Sequence, residues 1–212
     1  MAFVPISDPT AATATFPEGV LVARLEAGTD IVRIHDKALG PVWFGPKPGT
    51  PPAHRFDAPG GEYKICYAAE KLDGAFVETI LHGLKRIIRP AGVDRFAWTI
   101  LRPTRHLIVA KLFDEGLSRH GADASVSSCN DYSKPRKLAL AIYHDAPDVD
   151  GVAYRARHND GEVCYALFDR VGVAELTPAA PTPFETHHDI VTRLARKHGV
   201  VFDISATVPP PP

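Results

Sequence analysis

A strand followed almost at once by a core-facing helix sets the class of fold open to this chain. Lys64 to Ala69 is a short apolar run whose alternation puts Ile65 and Tyr67 on one face and Cys66 and Ala68 on the other. From near Asp73 the period changes. Phe76, Val77, Ile80, Leu81, Leu84, Ile87 and Ile88 recur at the three-four spacing of a helix with one wide apolar stripe, leaving Glu78, His82, Lys85 and Arg89 on the other side. A stripe of that width has to be buried, and the adjacent strand supplies the surface for it.

The rest of the chain extends the mixture. Gly19 to Leu25 fits a short strand or a helix, and Asp30 to His35 reads as a strand with Ile31 and Arg33 on one face and Val32 and Ile34 on the other. Arg95 to Leu101 and Arg105 to Phe113 read as strands joined by a tight turn at Arg102, Pro103 and Thr104. Asp114 to His120 reads as a short helix with Asp114 as cap and Gly121 as stop, and Ser125 to Asp131 as a polar loop. Tyr132 to Asp145 is a second amphipathic helix that would bury Leu138, Ala141 and Ile142. Gly151 to His158 and Glu162 to Asp169 flank the turn sequence Asn159, Asp160, Gly161, a strong hairpin signal. A proline-rich linker from Leu176 to Thr186 leads to a helix from His187 to His198 and a last strand from Val200 to Ile204. About seven short strands and four helices without strict alternation point to an α+β fold rather than a doubly wound sheet.

At 212 residues the chain suits one domain with appendages. The expected division is an N-terminal arm at 1–18, a main domain at 19–175, a C-terminal linker, helix and strand at 176–206 packed on that domain, and a proline tail at 207–212. A net charge of -1 argues against a general nucleic-acid binder, which carries a basic excess. No leader-like start and no membrane-length apolar run stand in the sequence, so a soluble cytoplasmic protein is expected. The three cysteines, Cys66, Cys129 and Cys164, form no CxxC pair and are expected reduced. The histidines show no ligand spacing backed by carboxylates, so no metal is expected.

Three polar residues stand out around the opening strand and helix. Arg55 closes a loop, Gly40 to Gly61, that is dense in Pro and Gly yet carries Trp43 and Phe44, and so reads as an ordered pocket wall or a structural wrap. Tyr67 lies on the strand and Glu78 in the first turns of the helix. Their plain readings are a loop cation, a core tyrosine with a satisfied hydroxyl, and a solvated carboxylate four residues from His82.

The order of these residues resembles the RES-domain family, named for an arginine, a glutamate and a serine. Arg55, Phe56 and Asp57 precede an apolar strand ending Cys66, Tyr67, Ala68, Ala69, and the helix then opens Gly74, Ala75, Phe76, Val77, Glu78, Thr79. The resemblance spans about Val32 to Phe168 and implies an ADP-ribosyltransferase-like fold, with short mixed sheets forming a central cleft flanked by helices. It also implies a toxin of a toxin–antitoxin pair that destroys NAD by phosphorolysis or hydrolysis, with NAD as substrate, phosphate as one acceptor, and a helix-turn-helix antitoxin as partner. Carried over, it makes Glu78, Arg55 and Tyr67 catalytic and places Arg33, Arg55, Tyr67, Glu78 and Arg157 around NAD. A homodimer is compatible with it, and direct nucleic-acid or membrane binding is not implied. The family serine falls at Ala156, with Ser127, Ser128 and Ser133 as substitutes to be considered. That departure keeps two other readings open: ADP-ribosyl transfer to a specific protein, and a catalytically silent nucleotide-binding fold.

Overall fold

Short apolar strands dominate the computed structural model, which describes the backbone of residues 2–4 together with residues 19–83 and 86–205. In chain order these are β1 (Ala2–Val4), β2 (Val20–Leu25), β3 (Ile31–Asp36), β4 (Ile65–Ala69), α1 (Leu72–Thr79), β5 (Ile87–Ile88), α2 (Pro90–Val93), β6 (Phe96–Pro103) and β7 (Leu107–Leu112). There follow α3 (Glu115–Arg119), α4 (Ser125–Ser128), α5 (Ser133–Asp145), β8 (Gly151–Ala156), β9 (Asn159–Phe168), β10 (Leu176–Pro178), β11 (Thr182–Pro183), α6 (His188–Lys197) and β12 (Val201–Phe202). The architecture is α+β. The N-terminal arm beyond Ala2–Val4 and the proline tail lie outside the described residues, as do Leu84 and Lys85.

One mixed sheet runs β1-β2-β7-β8-β9-β4-β3-β6-β10, with β11 also on β6, and a separate parallel pair joins β12 to β5. Among the described residues only the β7–β8 pair of the large sheet is parallel. The short links at 26–30 and 104–106 join strands that are not neighbours, β2 to β3 and β6 to β7, so the sheet folds back on itself. The tight turn expected at Arg102, Pro103 and Thr104 falls at 104–106, because Arg102 and Pro103 close β6, and the two strands it joins do not pair. Leu25, Ile31, Leu101, Leu107 and Val109 fill the inside of the fold-back. Cys66 and Ala68 face that interior, while Ile65 and Ala69 face the helices together with Val152, Tyr154, Ala156, Phe76 and Ile142. The alternation expected for β4 is the one observed.

Several expected elements are redrawn. The helix that follows β4 ends at Thr79, and Ile87 and Ile88 form a strand instead of extending its stripe, with Ile87 exposed. Two β-branched residues favour the strand, and Pro90 forces Arg89 into the extended region (φ -126, ψ 158), which no helix accommodates. Asp114 takes a φ of 50 and makes no cap bond, so α3 starts without its expected side-chain cap. The polar loop at 125–131 contains the helical turn α4. In α5 the fully buried side is Pro135, Ala139, Ile142 and Asp145, with Leu138 and Ala141 only half-buried. The last hairpin turns at Arg157 and His158, two residues before the predicted turn, with a register shift at Arg155/Ala156. The proline-rich linker adds β10 and β11 to the sheet edge beside β6.

Gly74 sets how closely α1 lies on the sheet. A Cβ there would stand 3.1 Å from Glu162 Cβ and 3.3 Å from Ala69 Cβ, so the absence of a side chain lets the helix settle onto β4 and β9. No helix among the described residues is long and apolar enough to cross a membrane.

Candidate active site

The loop before β4 is an ordered wall. Gly45 and Ile65 exchange main-chain hydrogen bonds at 3.0 and 2.8 Å, and Phe56 is fully buried against Tyr154, ring centroids 4.8 Å apart. Burying such a ring contributes about 1.5–3 kcal/mol, enough to fix the neighbouring Arg55 and Asp57 in place. Asp57, 1% exposed, accepts hydrogen bonds from Ala53 N, His54 N and the Tyr67 hydroxyl. The Tyr67 hydroxyl in turn accepts from Phe56 N at 3.1 Å. The hydroxyl of Tyr67 is thus committed to holding the loop, and burial together with Asp57 pushes its pKa well up. Its half-buried ring meets His54 edge-on.

Arg55 is 4% exposed. Its Nη1 donates to the Cys129 carbonyl at 3.0 Å, and the guanidinium lies 4.7 Å over the Tyr132 ring. Its Nε and Nη2 are buried without a partner. Two orphaned donors on a buried cation carry an unmet desolvation cost, which an anionic acceptor could offset.

Glu78 sits in the last turn of α1, not the first turns expected for it. A carboxylate at the C-terminal end of a helix meets the unfavourable end of the dipole. Two donors from β8 and the turn after it offset this: Arg157 N at 2.9 Å from Oε1 and the Tyr154 hydroxyl at 3.5 Å from Oε2. Burial and the nearby Glu78 push the Tyr154 pKa well above its ordinary value, so that hydroxyl stays protonated and donating. His82 does not pair with Glu78 along a helix; its Nε2 meets the Tyr132 hydroxyl at 2.9 Å. Desolvation, opposed by Glu78 and reinforced by His54, Arg55 and Arg157, holds the His82 pKa low. His158 is lowered by desolvation first and by Arg157 next, and its Nε2 is buried without a partner.

Glu78, Arg55 and Arg157 thus all act electrostatically on His82 and His158. Arg157 enters through its main chain, its side chain being half-buried. Arg33 enters differently. It shares a strand face with Ile31, opposite the Tyr67 ring, and its Nη1 donates 2.7 Å to the Tyr67 carbonyl where β3 and β4, paired only at Val32 and Ala69, diverge. It meets the group through the Tyr67 backbone and not through Glu78. Ala156 is buried at the end of β8, where it offers no hydroxyl. Among the described residues no group of three or more His, Cys, Asp or Glu is placed to hold a metal ion. The three cysteines are free thiols.

The RES domain model matches residues 30–187. The chain belongs to the RES domain family. It is also similar in fold to a chain of the crystal structure of the M. tuberculosis MbcT–MbcA toxin–antitoxin complex, with a TM-score of 0.57 and 14% identity, covering 80% of this chain and 92% of that one. No curated protein sequence matches it. The family expected from the sequence is the one found, and the shared fold agrees with the mixed α+β architecture.

Sequence reasoning missed Tyr154, Asp57, Tyr132 and His158. Alternation along 151–156 already puts Tyr154 on the face of Ala156, so that neighbour of Glu78 was open to inference. Asp57 stood beside Arg55 in the quoted motif, but its three donors come from the fold of the loop.

Proposed function

We propose that this RES protein is an NAD-cleaving enzyme of the toxin type, acting in the cytoplasm and silenced by a partner antitoxin. The observation that carries the reading is a carboxylate, Glu78, held by Tyr154 and the Arg157 main chain, together with a buried Arg55 that has two unpartnered guanidinium nitrogens. Tyr154, His82 and His158 each feel both charges, which supports reading the two groups as parts of one site.

In this mechanism Arg55 binds the diphosphate of NAD through Nε and Nη2, a geometry that a planar guanidinium fits. The nicotinamide–ribose bond breaks with its electron pair leaving on nicotinamide, which departs neutral. The positive charge left on the ribose carbon faces Glu78, which stabilises it electrostatically. A phosphate or water oxygen then forms the new bond to that carbon; with water, the proton lost goes to Glu78 or to solvent. The Tyr67 ring stacks on the nicotinamide, since its hydroxyl is engaged by Asp57. Arg33 supports the Tyr67 strand, and Arg157 adds its side chain as a further phosphate contact.

The toxin–antitoxin complex that shares the fold supports an antitoxin as the partner; a helix-turn-helix protein in that role is part of the proposal. Ala156 favours a second reading, a silent nucleotide-binding fold, because it removes a hydroxyl from the end of β8. Incubation with NAD, with and without phosphate, followed by chromatography of nicotinamide and the ADP-ribose products, separates the two readings.

A further inference from the structure

Ser127 is 6% exposed and its hydroxyl is buried without a hydrogen-bond partner. A buried hydroxyl in that condition requires an explanation, since native interiors satisfy nearly all such groups. The neighbouring serines need none: Ser128 Oγ donates to the Ala124 carbonyl at 3.0 Å, and Ser133 Oγ to Asp131 Oδ2 at 2.8 Å.

The position of Ser127 supplies the explanation. It lies on α4, which packs against β8, the strand that carries Tyr154 and Ala156. Val126, its neighbour on that turn, joins the core cluster that includes Ala156. Two residues on, the Cys129 carbonyl is the acceptor for Arg55 Nη1. Ser127 Oγ, Arg55 Nε and Arg55 Nη2 are therefore three orphaned polar atoms on two segments joined by a direct hydrogen bond. The guanidinium nitrogens only donate, and a serine hydroxyl donates readily, so the group that satisfies all three is an acceptor with several oxygens and negative charge.

We infer that Ser127 is a ligand-binding residue that completes, with Arg55, a clasp for the diphosphate of a dinucleotide. It supplies from α4 a hydroxyl that Ala156 does not supply from β8. The inference deepens the NAD reading above and rests on it for the identity of the ligand, but not for the presence of an anion site.

The test titrates the full-length protein with ADP-ribose, which holds the diphosphate without the scissile bond, and separately with inorganic pyrophosphate. Ser127→Ala weakens both by about ten- to 100-fold, the loss of one hydrogen bond to a charged group, while Ser128→Ala matches wild type. A thermal melt of the unliganded variants supplies an independent readout. A serine with a structural bond loses stability on truncation, whereas Ser127→Ala holds or raises the melting temperature because no bond is lost in the empty protein. Affinity unchanged in Ser127→Ala, or a lowered melting temperature without a change in affinity, overturns the inference and leaves the hydroxyl to a buried water. Ser127-dependent binding with no NAD cleavage supports the clasp and removes the enzyme reading. Failure of wild type to bind either probe overturns both.

Discussion

The main-chain N–H of Arg157 lies 2.9 Å from Glu78 Oε1, so the turn after β8 holds the carboxylate at the end of α1. The two residues are 79 positions apart, and the bond does not depend on the arginine side chain. Arg157→Ala is expected to keep the Glu78 geometry and to lower kcat/KM for NAD by less than about ten-fold, the value of one half-exposed, solvent-screened charged contact with the substrate. Steady-state kinetics check this; a loss as large as that of a Glu78 variant would assign the side chain a central role.

Arg55 is the residue for which charge alone is not enough. Arg55→Lys keeps the cation but loses the fork, the stacking on Tyr132 and the bond to the Cys129 carbonyl. Its KM for NAD is expected to rise by about ten-fold or more, with binding of ADP-ribose weakened in parallel. Calorimetric titration decides this, and wild-type affinity in the lysine variant would remove Arg55 from the diphosphate.

Asp57 acts on stability. Replacing it with Ala leaves Ala53 N, His54 N and the Tyr67 hydroxyl without their acceptor inside the loop that presents Arg55. Urea unfolding is expected to show a loss of about 2–4 kcal/mol, since buried donors deprived of a charged acceptor lose the bond and keep the desolvation cost. Tyr67→Phe removes the bond to Asp57 and also the acceptor of Phe56 N, and should cost about 2–3 kcal/mol by the same reasoning.

Acid sensitivity should come in part from His120. It is 3% exposed, its Nε2 accepts from Leu21 N at 3.0 Å, and burial pushes its pKa down from 6.5 to about 4. The folded value lies below the unfolded one, so between these pH values the unfolded chain binds a proton that the folded chain refuses. Stability is fully present above about pH 6.5 and falls toward pH 4, by roughly 3 kcal/mol from this group. His35, His82, His158 and His198 are shifted in the same direction. His120→Gln, which keeps an acceptor and a donor but does not titrate, should flatten the slope of urea-derived stability between pH 7 and pH 4. An unchanged slope would show that the group does not carry it.

Local pattern made much of the fold legible. The alternation of β4, the amphipathic helices near α5 and α6, and the hairpin of β8 and β9 each follow from spacing and turn chemistry within the segment. What spacing does not contain is which strands become neighbours, so β6 and β7 read as strands joined by a tight turn although the sheet separates them. The apolar stripe after Glu78 ran on into Ile87 and Ile88 because hydrophobic recurrence cannot tell a continuing helix from a short strand, and the restriction imposed by Pro90 was the overlooked signal. At the site, Arg55, Tyr67 and Glu78 stood out through motif order, whereas the donors that hold Glu78 come from a hairpin far along the chain. The role left for Tyr67 also narrowed, because the partner of its hydroxyl, Asp57, is set by the fold of the loop.

The central claim is that Glu78 drives cleavage of the nicotinamide–ribose bond. It is tested most directly by nicotinamide release from NAD, measured by chromatography for the wild-type protein and for Glu78→Gln, with both shown to be folded and to bind ADP-ribose. Wild type is expected to release nicotinamide, and Glu78→Gln to lose about 100-fold or more of that rate while retaining binding, as for removal of a group that stabilises transition-state charge. Equal rates in the two proteins, or no release from a wild-type protein that binds ADP-ribose, would contradict the claim.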